Sequence, residues 1–117
     1  METGDVVMLC VDSISAREFI YECVKDKAEL LIDGRMAAEL CQVISAAGGL
    51  AMADYAKTLF PQSEAVPQRC TAKTTIYCAN VLAGLMVAQY TKWMRSIPLE
   101  SEFTFNLLTF ETEKGEI

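Results

Sequence analysis

The chain has 117 residues, of which 52% are hydrophobic, and its 16 acidic and 10 basic side chains give a net charge of −6. This is enough apolar material for one compact core, and the composition is far from that of disordered proteins. An acidic chain without a lysine- or arginine-rich block is not expected to bind nucleic acid. The sequence contains no histidine, which excludes Ser-His-Asp and Cys-His catalysis and histidine-based metal sites.

The first third of the chain predicts a parallel strand-helix-strand unit. The continuous apolar run Val6–Val11 is typical of a strand that is buried on both faces. Ser13 or Ser15 can cap the amphipathic helix that follows. Glu29–Ile32 then forms a short strand that is expected to stop at Asp33, and a helical crossover makes the two strands parallel. The helix is expected to bury Ala16, Phe19, Ile20, Cys23 and Val24, and to expose Arg17, Glu18, Glu22, Lys25 and Asp26.

The middle of the chain predicts another strand and a long connection. Leu40–Ser45 has strand character, and because only a few residues separate it from the previous strand, we expect the two to pair antiparallel. Residues 46–73 are rich in small residues and then in polar residues and proline, so they are predicted to form an exposed crossover loop. Loops of this length inside a compact domain are usually functional or disordered.

The last third predicts a long helix, a strand and a tail. The helix begins at Thr71 or Thr74 and ends near Arg95, and the Ile97-Pro98 pair prevents its continuation. The alternating pattern of Glu102–Leu108 is typical of a half-buried strand, and residues 111–117 are expected to be a charged, fraying tail. The fold class is therefore α/β: a partial Rossmann-like mixed sheet with a long C-terminal helix, in a single domain spanning residues 1–117.

The five cysteines have irregular spacings and form no C-x-x-C pair, so neither a zinc site nor a thioredoxin-like motif is expected. Their odd number and apolar contexts indicate reduced thiols in a cytoplasmic protein. No secretory signal is visible, and the apolar stretch Ile76–Ala88 is too short to span a membrane. Four cysteines are expected to pack in the core, namely Cys10, Cys23, Cys41 and Cys78. Cys70 lies in the predicted loop and is either an inert thiol or a reactive one.

Asp12 is the first candidate for a functional residue, because it follows the apolar run of the first strand. Ligands of open α/β sheets bind outside the carboxyl ends of the strands, so an acid there can meet a bound metal or phosphate. The alternative is an ordinary helix-capping acid. Arg17 is expected to form a salt bridge near the start of its helix, and Arg35 to form a surface salt bridge or to meet an anionic ligand.

The order of these parts resembles the second half of the adenylyltransferase domain of the E1-like, ThiF/MoeB/HesA family, which activates ubiquitin-like and sulfur-carrier proteins. The first matching motif is Val11-Asp12-Ser13 with Arg17 following, where the family usually reads Thr-Asp-Asn-x-x-x-Arg. The other matching segments are Leu31-Ile32-Asp33-Gly34, Leu59-Phe60-Pro61, Val66-Pro67-Gln68-Arg69-Cys70-Thr71, the helix from Thr75 to Arg95 and the strand near Phe103 to Leu108.

The resemblance implies roles for two residues. Asp12 would help to hold Mg-ATP while the C-terminal carboxylate of a carrier protein attacks the α-phosphate. Cys70 matches the position of a loop cysteine that accepts the activated acyl group or takes part in sulfur transfer. The implied partners are a ubiquitin-like or sulfur-carrier protein and either a second copy of the chain or a nucleotide-binding half.

The Gly-rich loop that cradles phosphates in this family has no counterpart in the sequence. ATP and Mg are therefore expected to bind only together with the N-terminal half that carries this loop, and the chain alone is not expected to adenylate. No structural zinc is expected. The alternative is a non-catalytic, truncated relative that dimerises or docks a partner, and a third possibility is a redox-responsive protein acting through Cys70.

Overall fold

The architecture is a five-stranded mixed sheet with helices on both faces. The computed structural model describes residues 5–10, 13–37, 39–59 and 76–115. The elements are β1 (Asp5–Leu9), α1 (Ile14–Val24), β2 (Ala28–Ala37), β3 (Leu40–Ala47), α2 (Gly49–Ala56), α3 (Ile76–Met94), β4 (Glu102–Asn106) and β5 (Glu111–Gly115). The predicted mixed α/β class with a long C-terminal helix is confirmed.

The strands lie in the sheet in the same order as in the chain, β1-β2-β3-β4-β5. β1 and β2 are parallel, with Leu9 opposite Asp33, and every other neighbouring pair is antiparallel. Helix α1 connects the parallel pair, as such a connection requires, whereas a short link suffices between the antiparallel β2 and β3. The predicted strand-helix-strand unit and the antiparallel strand after it are both confirmed.

One face of the sheet packs against α1 and α2. The core on this face consists of Leu9, Tyr21, Val24, Leu31, Ile44, Ala46, Met52 and Tyr55. The ring centroids of Tyr21 and Tyr55 lie 5.7 Å apart, and the Tyr21 hydroxyl donates to the backbone oxygen of Met52 at 3.2 Å. These contacts join the two helices to each other as well as to the sheet. An aromatic pair of this kind adds about 0.5–1.5 kcal/mol beyond the area that it buries.

The opposite face packs against α3. Its core consists of Leu30, Ile32, Cys41, Val43, Cys78, Leu82 and Met86. Gly34 faces this helix, and a Cβ atom at Gly34 would lie 2.5 Å from Met86 Sδ. The absence of a side chain at Gly34 therefore allows the helix to lie close to the backbone of β2.

Strand β2 is longer than predicted. It does not stop at Asp33 but continues to Ala37, so the interpretation of the Asp33-Gly34 pair as a terminator was wrong. Asp33 is fully buried within the strand, and three side-chain donors contact its carboxylate, as described below. A satisfied carboxylate can lie in the interior, whereas an unsatisfied one is strongly disfavoured there.

Helix α1 begins as predicted, but its buried side differs. Ser13 caps the helix, with its Oγ accepting from the backbone nitrogen of Ala16 at 3.1 Å. Arg17 is buried although it was expected to be exposed, and Phe19 is 71% exposed although it was expected in the core. The buried residues of the helix are Ile14, Arg17, Tyr21 and Val24. The i, i+3, i+7 spacing of this set includes Arg17 because the sheet offers Arg17 a buried partner.

The prediction of a continuous loop after the third strand was wrong. Residues 46–73 were expected to form an exposed loop, yet Ala46 and Ala47 end β3 and α2 follows. Gly48, with φ of 95°, allows the chain to enter α2. Met52 and Tyr55, three residues apart, are buried against the sheet. Residues 60–75 lie outside the described ranges.

The expected charged tail forms strand β5. A tight connection leads into it, because the side-chain oxygen of Asn106 accepts from the backbone nitrogens of Leu108 at 2.9 Å and Thr109 at 3.3 Å. β5 then pairs antiparallel with β4, with Asn106 opposite Glu111. Every residue of β5 is exposed, so backbone pairing rather than apolar burial accounts for the strand.

The cysteines divide into two groups. Cys41 and Cys78 are buried, as expected, but Cys10 and Cys23 are exposed, so the prediction that these two pack in the core was wrong. Cys10 follows the last residue of β1, and Cys23 lies on the solvent side of α1. Cys70 falls among the residues that the structure does not describe. Within the described parts of the chain, no helix combines the length and apolar character needed to cross a membrane.

Candidate functional site

A buried polar cluster lies beside the carboxyl end of β1. Its centre is Asp33, which pairs with Leu9 at the end of that strand. Arg17 Nε donates to Asp33 Oδ1 at 2.9 Å, and Arg35 Nε donates to Asp33 Oδ2 at 2.9 Å. The Tyr55 hydroxyl donates to the same Oδ2 at 2.8 Å. We call Arg17, Asp33, Arg35 and Tyr55 the Asp33 cluster.

Two helices and one strand supply the side chains of the cluster. The spacing of residues along each element places these side chains on the same face of the sheet. Alternate residues of a strand point to the same face, so Asp33 and Arg35 lie on the side of β2 that carries Leu31. The buried stripe of α1 presents Arg17, and α2 presents Tyr55. Arg17 Nη2 also donates to the backbone oxygen of Gly34 at 3.2 Å. The first turns of α1 are thereby attached to both the side chain and the backbone of β2.

Arg35 extends the cluster to the end of α2. Its Nη2 donates to Thr58 Oγ1 at 2.8 Å, and this hydroxyl donates to the backbone oxygen of Tyr55 at 2.8 Å. The guanidinium carbon of Arg35 lies 6.0 Å from the centroid of the Tyr55 ring, which is the outer limit for an attraction between a cation and an aromatic face. Arg35 therefore fixes the position at which the chain leaves α2. Arg35 was expected to form a surface salt bridge, but its partner is the fully buried carboxylate of Asp33. The expected salt bridge of Arg17 is confirmed.

The cluster carries a net positive charge, because two guanidinium groups face one carboxylate. Burial raises the pKa of Tyr55 well above its usual value, and the negative charge of Asp33 raises it further. Tyr55 is therefore a permanent hydrogen-bond donor at neutral pH. Asp33 accepts three side-chain hydrogen bonds and is fully buried, so it serves as a positioning residue rather than as a base or a metal ligand.

The two predicted catalytic residues, Asp12 and Cys70, lie outside the described residues. In the sequence, Asp12 stands between the end of β1 at Leu9 and the cap of α1 at Ser13, and the Asp33 cluster contacts the helix that Ser13 caps. Cys70 falls in the gap between Leu59 and Ile76. Across the four ranges that the structure describes, no group of three or more Cys, Asp or Glu side chains could hold a metal ion.

Sequence reasoning missed the central role of Asp33 and the contribution of Tyr55. One signal for Asp33 is available: an acid follows the apolar run Leu30-Leu31-Ile32 directly, and arginines lie at positions 17 and 35. A buried acid needs partners of this kind. Nothing in the sequence pointed to Tyr55, because residues 46–73 were not expected to contain a helix.

A cavity of about 140 Å³ lies on the opposite face, between α3 and strands β3 to β5. Its apolar lining includes Val43, Leu85 and Phe103, and Lys92 and Lys114 also line it. The Asp33 cluster contributes no residue to this cavity.

Comparisons with known proteins show a similarity of fold between this chain and a solved structure. No family model matches the sequence, and a search of curated proteins found no match. Among solved structures, the crystal structure of SeMet PaaA is similar, with a TM-score of 0.63 and 18% sequence identity. The match covers 96% of this chain and 42% of that chain. The chain thus spans less than half the length of this neighbour, and at this identity the likeness shows the fold alone.

Proposed function

We propose that this chain is the C-terminal half of an E1-like, ThiF-type adenylyltransferase, which uses Mg-ATP to activate the C-terminus of a ubiquitin-like or sulfur-carrier protein. The observation that carries the proposal is the Asp33 cluster. It is a positively charged group at the carboxyl end of β1, and it anchors the helix that begins directly after the Asp12 segment.

The place of the cluster suits a nucleotide phosphate. Ligands of open α/β sheets bind outside the carboxyl ends of the strands, and the guanidinium groups of Arg17 and Arg35 lie beside the carboxyl end of β1. Mg²⁺ prefers a few carboxylate ligands together with substrate phosphates, and Asp12 supplies a carboxylate in this segment of the sequence. The Asp33 cluster would hold the helix next to Asp12, and Asp12 would hold the metal.

The proposal requires a second half that carries the Gly-rich phosphate loop. The apolar run of β1 predicted a strand that is buried on both faces, but β1 lies at an edge of the described sheet and Met8 is 39% exposed. A nucleotide-binding half that pairs with this edge would place its phosphate loop near the carboxyl end of β1. In this proposal Cys70 accepts the activated acyl group or sulfur, and the exposed thiols of Cys10 and Cys23 fit a reducing, cytoplasmic location.

The test is ATP-pyrophosphate exchange by a chimaera in which the N-terminal half of a known ThiF-type enzyme is fused ahead of Met1. Exchange that depends on Mg-ATP and the carrier of that enzyme is expected. Asp12→Asn should reduce it by roughly 100-fold, the scale for losing one electrostatic contact to the reacting group. Asp26→Asn changes an exposed acid after α1 and is the matched control. A folded chimaera without exchange, or exchange that Asp12→Asn leaves unchanged, would contradict the proposal.

A second candidate is a non-catalytic module that pairs with another copy of the same chain. The outer side of α3 favours it, because no charged residue occurs between Ile76 and Thr91, and Ile76, Val87 and Met94 are 79%, 54% and 63% exposed. An uncharged helical face can pack against its own symmetry mate. Light scattering across a concentration series would show a dimer that Val87→Glu dissociates and Lys27→Glu does not. A monomer at all concentrations would exclude this candidate.

A further inference from the structure

Two buried cysteines meet where α3 begins. Cys41 lies in β3 and Cys78 in the first turn of α3, and neither side chain is exposed to solvent. Their Sγ atoms lie 2.8 Å apart, and Cys41 Sγ also lies 3.3 Å from the backbone oxygen of Cys78. The two thiols are 37 residues apart in the chain.

The two sulfur atoms are only slightly farther apart than the sulfur atoms of a disulfide bond. A disulfide has a sulfur-sulfur distance of about 2.05 Å, so a movement of less than about 1 Å would close the bond. The pair lies in the same core as Leu82 and Met86, which hold α3 against the sheet. This packing keeps the two sulfur atoms together, and it also limits the access of large oxidants.

We propose that Cys41 and Cys78 form a site of reversible oxidation, at which a small hydroperoxide converts the two thiols into an intramolecular disulfide. The cross-link would join β3 covalently to the start of α3. It differs from the cysteine chemistry considered above, which concerns Cys70, and it does not depend on the proposed adenylyltransferase function.

The reaction balances with one peroxide molecule. One sulfur atom takes an oxygen atom from hydrogen peroxide to form a sulfenic acid, and one water leaves. The second thiol then attacks this sulfur, the disulfide bond forms and the hydroxyl group leaves as a second water. Two thiols lose two electrons and two protons in total, and hydrogen peroxide accepts them.

The surroundings of the pair make this a slow reaction. Burial raises the pKa of Cys41 to about 12, and the hydrogen bond to Cys78 contributes. Because the thiolate is the reactive form, the rate should rise with pH across the alkaline range. The site is therefore a slowly formed cross-link, and the exposed Cys10 and Cys23 should react with alkylating reagents before it does.

The test uses the full chain with the substitutions Cys10→Ser, Cys23→Ser and Cys70→Ser, so that Cys41 and Cys78 are the remaining thiols. Hydrogen peroxide is added, the reaction is quenched, and the intact mass and the non-reduced peptide map are recorded. The expected product has lost two hydrogen atoms, links the peptides of Cys41 and Cys78, and returns to the thiol form with dithiothreitol. The melting temperature should rise by about 15 °C on the entropy estimate for a loop of this length.

The matched control carries Cys41→Ser in addition and should not lose two hydrogen atoms. If the triple variant fails to fold, the non-reduced peptide map of the oxidised wild-type chain provides the same answer. Gain of oxygen at either cysteine without a linked peptide would overturn the proposal. So would full alkylation of both thiols by iodoacetamide in denaturant after the peroxide treatment.

Discussion

Both faces of the sheet hold their helices through an apolar core, but the polar contacts that strand β2 adds differ between the two faces. On one side of β2, Asp33 and Arg35 bind α1 and α2 through directional hydrogen bonds. On the other side, Ile32 and Gly34 hold α3 through apolar contact and close approach. The face next to the proposed nucleotide site therefore adds charged hydrogen bonds to its apolar core, whereas on the α3 face a neutral bond, from Gln89 Nε2 to Ser45 Oγ at 3.0 Å, supplements apolar packing.

The largest effect is expected on the polar face, for Asp33→Asn. This change removes the carboxylate that pairs with the buried guanidinium of Arg17 and with the partly buried guanidinium of Arg35. Breaking a buried ion pair by removing one partner costs about 3–5 kcal/mol, so the free energy of unfolding in urea should fall by that amount. Asp54→Asn is the control, because Asp54 forms an exposed pair with Lys57, and its loss should be below about 1 kcal/mol. Equal losses in the two variants would show that the Asp33 cluster is not a stabilising centre.

Tyr55→Phe separates the charged hydrogen bond from the packing of the ring. The variant retains the aromatic ring but removes the donor to Asp33 Oδ2, and a hydrogen bond to a charged group contributes about 1.5–3 kcal/mol. Tyr21→Phe removes a bond to a neutral carbonyl oxygen, for which about 0.5–1.5 kcal/mol is expected. Urea unfolding of both variants measures the difference. A larger loss of unfolding free energy for Tyr21→Phe would show that the hydrogen bond to Asp33 is not the stronger of the two.

The α3 face can be tested with two glycines. Gly34→Ala places a Cβ atom 2.5 Å from Met86 Sδ and 3.2 Å from Leu82 Cδ2. Because the ends of these side chains can shift, we expect a cost at the lower end of the overpacking range, about 1 kcal/mol. Gly84 lies in α3, where a Cβ atom would meet no other element of the described chain within 4 Å, so Gly84→Ala should stabilise by up to about 1 kcal/mol through helix propensity. Thermal unfolding should therefore show shifts of opposite sign. Stabilisation by Gly34→Ala would mean that α3 does not lie close to β2.

A further effect is a dependence of stability on alkaline pH. Burial raises the pKa of Cys41 from 9.0 to about 12, so above pH 9 the unfolded chain loses a proton that the folded chain retains. Stability contributed by this thiol is present below pH 9 and declines as the pH rises towards 12. Cys41→Ala should therefore flatten the decline in unfolding free energy between pH 9 and 12, relative to wild type. Because Tyr55 also contributes in the alkaline range, the difference between the two curves is the quantity to measure. Parallel curves would show that the thiol is not held protonated.

The sequence predicted the elements whose pattern is local and regular. The valine-rich β1, the helix capped by Ser13 and the long apolar α3 were all anticipated, and so was the antiparallel pairing of β3. The failures have physical causes that the local pattern does not contain. Arg17 is buried because acceptors of β2, among them Asp33 and the backbone oxygen of Gly34, lie opposite it in the folded chain. An Asp-Gly pair usually marks a turn, yet here the three donors around Asp33 allow β2 to continue.

Two further misses concern segments with weak apolar signals. α2 is a short run of small residues, and it is recognisable through the burial of Tyr55 rather than through propensity. β5 is wholly exposed, and the turn at Asn106 and its backbone pairing with β4 define it. The roles of Asp12 and Cys70 came from the resemblance to the adenylyltransferases, and they stay predictions because both residues lie outside the described ranges.

Hydrogen-deuterium exchange of the chimaera, with and without Mg-ATP, tests whether the nucleotide binds beside the Asp33 cluster, because it reports on both faces of the sheet at once. If the nucleotide binds beside the Asp33 cluster, Mg-ATP should slow the exchange of backbone amide hydrogens from Cys10 to Arg17 and around Asp33. Exchange on the outer side of α3, between Ala83 and Ala88, should not change. Protection confined to α3, or no protection anywhere in this chain when the chimaera binds Mg-ATP, would contradict the placement of the nucleotide beside the Asp33 cluster.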